Sequence, residues 1–140
     1  DSAMAENGIL KVGRVTDFEC HQMEHQLGAY TDCNHGQGLA VIHPAYYRHI
    51  FRDGLDKFGR FAANVWMIPR EKKSREELAA AGLDALEAFI RELGLPTSLR
   101  QLGVRDKKQL PVIAGSCHFS PGGYRKMMPE EILEILQECF

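Results

Sequence analysis

The sequence lacks the features of membrane-spanning, nucleic-acid-binding and disulfide-stapled proteins. No apolar run approaches the roughly 18–20 residues that a membrane-spanning helix requires, and no basic-then-apolar leader opens the chain. With 17 basic and 19 acidic residues the formal net charge is −2, which gives no electrostatic footprint for nucleic acid or an anionic membrane surface. The four cysteines include no C-x-x-C pair, so we expect reduced, mostly buried thiols in a cytoplasmic protein.

Strict alternation of apolar and polar residues, the pattern of a half-buried strand, is also missing over any useful length. The apolar residues recur at helical spacing instead, and glycine and proline divide them into segments with short connections. At 140 residues, 44% of them hydrophobic, the chain is long enough to bury a core of its own. We therefore predict an all-α fold, a helical bundle of about five to eight helices in a single domain over residues 1–140.

Start and stop signals place the individual helices. Asp17 is the expected N-cap of a helix that runs to about Tyr30. The stretch 36–66 is too apolar for a surface loop, and we predict one long, largely buried helix bent at Pro44. Further helix starts are marked by N-cap residues or by an N-terminal proline: Ser74 (in a capping box with Glu77), Thr97 or Ser98, Asp106 and Pro129.

Three of the six histidines fall within the fifteen residues 21–35. His21 and His25 are four residues apart, so they project from one face of a helix, and His35 follows where Gly36 allows a helix to stop or restart. Neutral imidazole is a common ligand of zinc and divalent iron, which makes these histidines candidate ligands of one divalent metal, Fe²⁺ or Zn²⁺. The other histidines and the flanking cysteines are interpreted as structural or have no assigned role: His43, His49, His118, Cys20 and Cys33.

Two alternative functions are compatible with the cluster. His21-Gln-Met-Glu24-His25 fits H-x-x-E-H, the inverted zinc-protease motif, in which Glu24 would activate a water on zinc. Glu87 or Glu92 is the candidate third ligand of that metallohydrolase site. This interpretation leaves His35 without a role and requires a sheet that the sequence does not predict. The other alternative is a non-catalytic helical dimerisation module.

A longer pattern surrounds the same histidines. The segment 17–44, DFECHQMEHQLGAYTDCNHGQGLAVIHP, closely resembles the C-terminal domain of the iron-containing alcohol dehydrogenases, and the butanol dehydrogenase-like branch is the nearest match. The His-x(3)-His-x(9)-His spacing, with Leu-Gly-Ala and His-Gly between, carries the resemblance. GLPTSLRQLGV at 94–104 is similar to a later stretch of that family, and AMAENGIL at 3–10 to the end of the helix before the histidines.

The resemblance implies a role for each histidine of the cluster. His21 and His35 would be two of four protein ligands to a catalytic divalent metal, and His25 would be a catalytic residue on the substrate and nicotinamide side of the cleft. The other two ligands and the nucleotide-binding domain would lie outside this chain. The complete enzyme would interconvert small alcohols and aldehydes by hydride transfer with NAD or NADP, as a homo-oligomer. We expect the isolated chain to bind metal weakly and to be inactive.

Overall fold

The structure is a computed structural model that describes residues 8–119 and 122–140, and no strand occurs in that part of the chain. The α-helices of the described residues are α1 (Glu19–Thr31), α2 (His35–Ile50), α3 (Leu55–Val65), α4 (Arg75–Glu92), α5 (Leu110–Ser116) and α6 (Pro129–Glu138). Three-residue or four-residue 3-10 helices precede α1, join α2 to α3 and lead into α5: Ile9–Lys11, Phe51–Gly54 and Lys107–Gln109. The predicted all-α fold is confirmed.

Helix α2 lies at the centre of the bundle. It contacts α1, α4 and α6, while α3 packs along α4, and α5 packs against both α1 and α6. One hydrophobic core joins these interfaces because each helix buries a single apolar stripe. Nine of its most deeply buried side chains come from α1, α2, α4, α5 and α6, and two more come from the turns before α5: Met23, Leu27, Ile42, Leu83, Leu110, Ile113, Ile132, Ile135 and Leu136, with Leu99 and Val104.

The predicted long helix over 36–66 is wrong, because the chain forms two helices there. Pro44 lies inside α2, which continues through it to Ile50, and the break comes later, in the 3-10 helix Phe51–Gly54. The ring of Tyr124 packs directly onto Gly54, where a Cβ would lie 2.4 Å from the ring. Both helices turn an apolar face to the same core, so their combined pattern resembles one helix in the sequence.

Two helix starts also differ from the prediction. The N-cap of α1 is Phe18, one residue later than expected, although the Asp17 carboxylate accepts a hydrogen bond from the Glu19 backbone N–H at 2.9 Å. The helix expected from Thr97 or Ser98 is a series of turns. The Gln101 side-chain oxygen accepts a hydrogen bond from the backbone N–H of Thr97 at 2.6 Å. The first N–H groups of a helix have no partner within the helix, and here the turn itself provides one.

Other local predictions are confirmed. Ser74 and Glu77 form the capping box of α4, and Pro129 is the first residue of α6. Asp106 caps the 3-10 helix that leads into α5. The segment 3–10 falls mostly outside the described residues. In the described part of the chain, no helix combines the length and the apolar character needed to cross a membrane.

The α3–α4 crossing provides a stability prediction. A Cβ at Gly82 would lie 2.7 Å from the Cβ and 3.0 Å from the Cα of Ala62, so Gly82→Ala must push the two helices apart. We expect a loss of about 1–3 kcal/mol in the free energy of unfolding, measured by urea denaturation. Gly59→Ala, on the same pair of helices, meets only Leu78 at 3.6 Å and is the matched control. It should be neutral or stabilising by up to about 1 kcal/mol; equal losses in both variants would contradict this packing account.

Candidate metal centre

A tight turn between α1 and α2 assembles the histidine cluster. Helix α1 ends at Thr31, and its C-cap residue Asp32 adopts the left-handed conformation with φ 55°. Asn34 then caps α2, and its side-chain oxygen accepts the backbone N–H of Gly36 at 3.0 Å. His35 is therefore the first residue of α2 and lies back over the histidines of α1.

The three predicted histidines come together. The ring centroids of His21 and His35 are 5.5 Å apart, those of His25 and His35 also 5.5 Å, and those of His21 and His25 6.4 Å. The ring of His43, from α2, lies 6.2 Å from that of His21. Four imidazoles from two helices thus share one region, and sequence reasoning had interpreted His43 as structural only.

The surroundings of Glu24 differ most from what the sequence suggested, namely a glutamate that activates a water on zinc. Its carboxylate is only 2% exposed and is hydrogen-bonded to Nδ1 of His35. Among the described residues, one group of three histidine, cysteine or acidic side chains brings its ligand atoms within 4.8 Å of one another: Glu24, His25 and His35. Imidazole nitrogen and carboxylate oxygen are suitable donors for zinc and divalent iron, so the residues present fit such an ion. His21 adjoins this group through its ring contacts with His25 and His35.

An apolar cavity of about 430 Å³ begins beside His21. His43 and aromatic residues line it, including Tyr46, Tyr47 and Phe58. Burial, followed by the neighbouring His21, lowers the pKa of His43 to about 4, so its imidazole is neutral at physiological pH. The Tyr46 hydroxyl donates a hydrogen bond to Asp17 Oδ2 at 2.6 Å, and burial raises the pKa of that hydroxyl.

The two cysteines beside the cluster behave as packing residues. Cys20 is 4% exposed, and burial raises the pKa of its thiol well above the usual range. In the metal-free chain this thiol therefore stays protonated. Cys33 packs against the hydrophobic core.

The third ligand expected for a metallohydrolase is engaged elsewhere. Glu87 accepts a hydrogen bond from Arg48 Nε at 2.6 Å, and Glu92 is exposed at the last residue of α4. Glu24, the water-activating residue of that interpretation, is buried against His35. The remaining histidines stand apart from the group of three donors: His49 Nε2 lies 3.1 Å from Glu131, and His118 is exposed in the loop after α5.

The fold and the cluster together define a helical domain in which an α1–α2 hairpin brings several imidazole side chains together. Comparison with known sequences then gives the family. The profile described as "Fe-containing alcohol dehydrogenase family, C-terminal" matches residues 2–140. The chain belongs to the iron-containing alcohol dehydrogenase family and corresponds to its C-terminal domain.

Comparisons with individual proteins support the same family assignment. The chain is 34% identical over 144 residues to NADH-dependent butanol dehydrogenase A of Clostridium acetobutylicum, covering 99% of this chain and 36% of that protein. It is 33% identical over 121 residues to lactaldehyde reductase of Escherichia coli, covering 82% and 30% respectively. The crystal structure of NADH-dependent butanol dehydrogenase A from Thermotoga maritima superposes with a TM-score of 0.83 at 29% identity, covering 97% of this chain and 36% of that one. The chain spans about a third of the length of the relatives it matches.

Proposed function

We propose that this chain is the metal-binding helical part of an NAD(P)-dependent alcohol dehydrogenase that interconverts small alcohols and aldehydes. The observation that supports this most strongly is the approach of His21 and His35 across the α1–α2 turn, 5.5 Å between ring centroids, in a domain of this family. The relatives named above are a butanol dehydrogenase and a lactaldehyde reductase, which supports a small alcohol or aldehyde as the substrate.

His21 and His35 are the residues proposed to hold the metal, Fe²⁺ or Zn²⁺. A bound ion of this kind polarises an aldehyde carbonyl or lowers the pKa of an alcohol, and the nicotinamide of NAD or NADP carries the hydride. His25 is exposed beside them, where its imidazole can hold the substrate oxygen or transfer a proton. The neutral, half-buried His43 contributes no charge to this side of the site.

The other half of the site is proposed to come from outside this chain. Two protein ligands are fewer than the three usually found at a catalytic zinc. We therefore propose that a nucleotide-binding domain supplies the remaining ligands and the cofactor site, in a cytoplasmic homo-oligomer. This fits the coverage, since the chain spans 36% of the butanol dehydrogenase it resembles.

A domain exchange tests the proposal. We expect the isolated chain, supplied with Fe²⁺ or Zn²⁺, butanal and NADH or NADPH, to show no turnover. The same segment, placed in C. acetobutylicum butanol dehydrogenase A instead of the homologous region, should restore butanal-dependent NADH oxidation. His35→Ala should abolish that activity because it removes a proposed ligand, and His118→Ala, at an exposed histidine outside the cluster, should leave it intact.

Two results would contradict the proposal. Robust cofactor-dependent turnover by the isolated chain would show that its site is complete without a second domain. Full activity of the His35→Ala exchange protein would show that His35 does not bind the catalytic metal.

A further inference from the structure

The bond between Glu24 and His35 joins a buried carboxylate to an exposed ring. The Glu24 side chain is 2% exposed and that of His35 is 51% exposed. The carboxylate Oε2 contacts Nδ1 of the ring, which is the nitrogen nearer the backbone. The imidazole is therefore held at Nδ1, and its other nitrogen, Nε2, takes no part in this bond.

The helices leave a specific space for this carboxylate. On α2, a Cβ at Gly38 would lie 2.6 Å from Glu24 Oε1 and 2.8 Å from its Cγ, so Glu24 occupies the volume that a larger residue would fill. On α1, a Cβ at Gly28 would lie 3.5 Å from the same oxygen, which is ordinary contact. The first turn of α2 lies at the positive end of the helix dipole, which also favours a negative charge beside it.

We propose that Glu24 is a positioning residue for His35. Its carboxylate accepts the Nδ1–H hydrogen bond, fixes the tautomer in which Nε2 carries the lone pair, and orients that lone pair for the metal. A carboxylate that accepts the second ring N–H of a metal-bound histidine also raises the basicity of the ligand. This inference rests on the proposed function in one respect, namely that His35 binds the metal.

The proposal separates Glu24 from the two direct roles that its position suggests. A water-activating glutamate or a metal ligand would need an oxygen that the ion or its water can reach. The observed carboxylate has Oε2 on His35 and Oε1 packed against Gly38. Its effect on the metal is therefore exerted through His35.

The tautomer of His35 in the metal-free chain is the primary measurement. Long-range ¹H–¹⁵N correlation spectra at pH 8 should show wild-type His35 protonated at Nδ1. Glu24→Ala should shift it towards the Nε2–H form that free imidazole side chains favour. Glu24→Gln keeps an acceptor oxygen, so it should retain the Nδ1–H tautomer and lose only the charge.

Zinc affinity, measured by competition with a chelating indicator, is the second readout. Loss of a histidine's hydrogen-bonding partner typically lowers metal affinity about 10–100-fold, which is the expectation for Glu24→Ala. Glu24→Gln should fall between Glu24→Ala and the wild type. Circular dichroism confirms the fold of each variant.

A matched pair of glycine substitutions tests the geometry with Glu24 itself unchanged. Gly38→Ala should displace the carboxylate, release the Nδ1–H tautomer and weaken zinc binding, because its Cβ would meet Oε1 at 2.6 Å. Gly28→Ala, which adds the same methyl group at 3.5 Å from that oxygen, should change neither readout. If Glu24→Ala does not fold, this pair of variants still tests whether the Glu24 carboxylate sets the tautomer of His35.

Three results would overturn the proposal in distinguishable ways. An unchanged His35 tautomer in Glu24→Ala and Gly38→Ala would remove the positioning role and leave the proposed function intact. Weaker zinc binding in Glu24→Ala with an unchanged tautomer would make Glu24 a direct ligand. If His35→Ala binds zinc as tightly as the wild type, His35 is not a metal ligand. The Glu24–His35 hydrogen bond would then have no role in metal binding.

Discussion

Replacing His21 or His35 by alanine should reduce zinc binding by the chain below detection. The chain is proposed to provide these two imidazoles and no other protein ligand, so either change leaves a single nitrogen that cannot hold the ion against water. Because even an outer hydrogen-bonding partner is worth about 10–100-fold in metal affinity, we expect each loss to exceed about 100-fold. Their rings lie 5.5 Å apart, close enough for small rotations to place one ion between them.

The control variant, His25→Ala, distinguishes two possible ligand sets: His21 with His35, or Glu24 with His25 and His35. His25 belongs to the group of ligand atoms within 4.8 Å, together with Glu24 and His35, whereas His21 does not. The proposed function predicts that His25→Ala binds zinc nearly as well as the wild type. A chain that keeps its affinity in His21→Ala and loses it in His25→Ala would instead use the Glu24, His25 and His35 set.

The second large effect is a pH-dependent loss of stability caused by His43. Burial and the neighbouring His21 lower the pKa of His43 to about 4 in the folded chain, against a usual value of 6.5. Between these values the unfolded chain binds a proton that the folded chain does not. The stability contributed by the neutral imidazole is therefore fully present above about pH 6.5 and declines as the pH falls towards 4.

The size of this decline follows from the shift in pKa. At 1.36 kcal/mol for each pKa unit, the loss amounts to at most about 3 kcal/mol. Urea denaturation of the metal-free chain between pH 4 and 8 measures it, and His43→Gln, which cannot titrate, is the reference. The difference in unfolding free energy between the two proteins should change across this interval. If the difference in unfolding free energy stays constant with pH, the pKa of His43 is the same in the folded and the unfolded chain, which would contradict the prediction.

The elements that the sequence predicts best are those whose partners lie within a few residues. The capping box of Ser74 and Glu77 closes within one turn, and Pro129 needs only its fixed backbone angle to begin α6. The histidine cluster was predictable for the same reason. A four-residue spacing on α1 and a short turn before His35 determine most of its geometry.

The features that could not be predicted depend on residues distant in the sequence. The break between α2 and α3 lies where the ring of Tyr124 packs onto Gly54, and no local signal reports that contact. The Glu24–His35 bond joins two residues on different helices, so the motif around Glu24 favoured a catalytic role that its burial does not support. A glycine at position 38, next to a buried acidic residue on the facing helix, becomes informative only once the helix pairing is known.

Counting the imidazoles on the bound ion tests the central claim most directly. X-ray absorption spectroscopy of the zinc-loaded chain resolves histidine nitrogens, which bind zinc at about 2.0–2.1 Å. The proposed function predicts two imidazoles, His21 and His35, with water oxygens in the remaining positions and the same count in His25→Ala. A third imidazole that disappears in His25→Ala, or an unchanged count in His21→Ala, would contradict it.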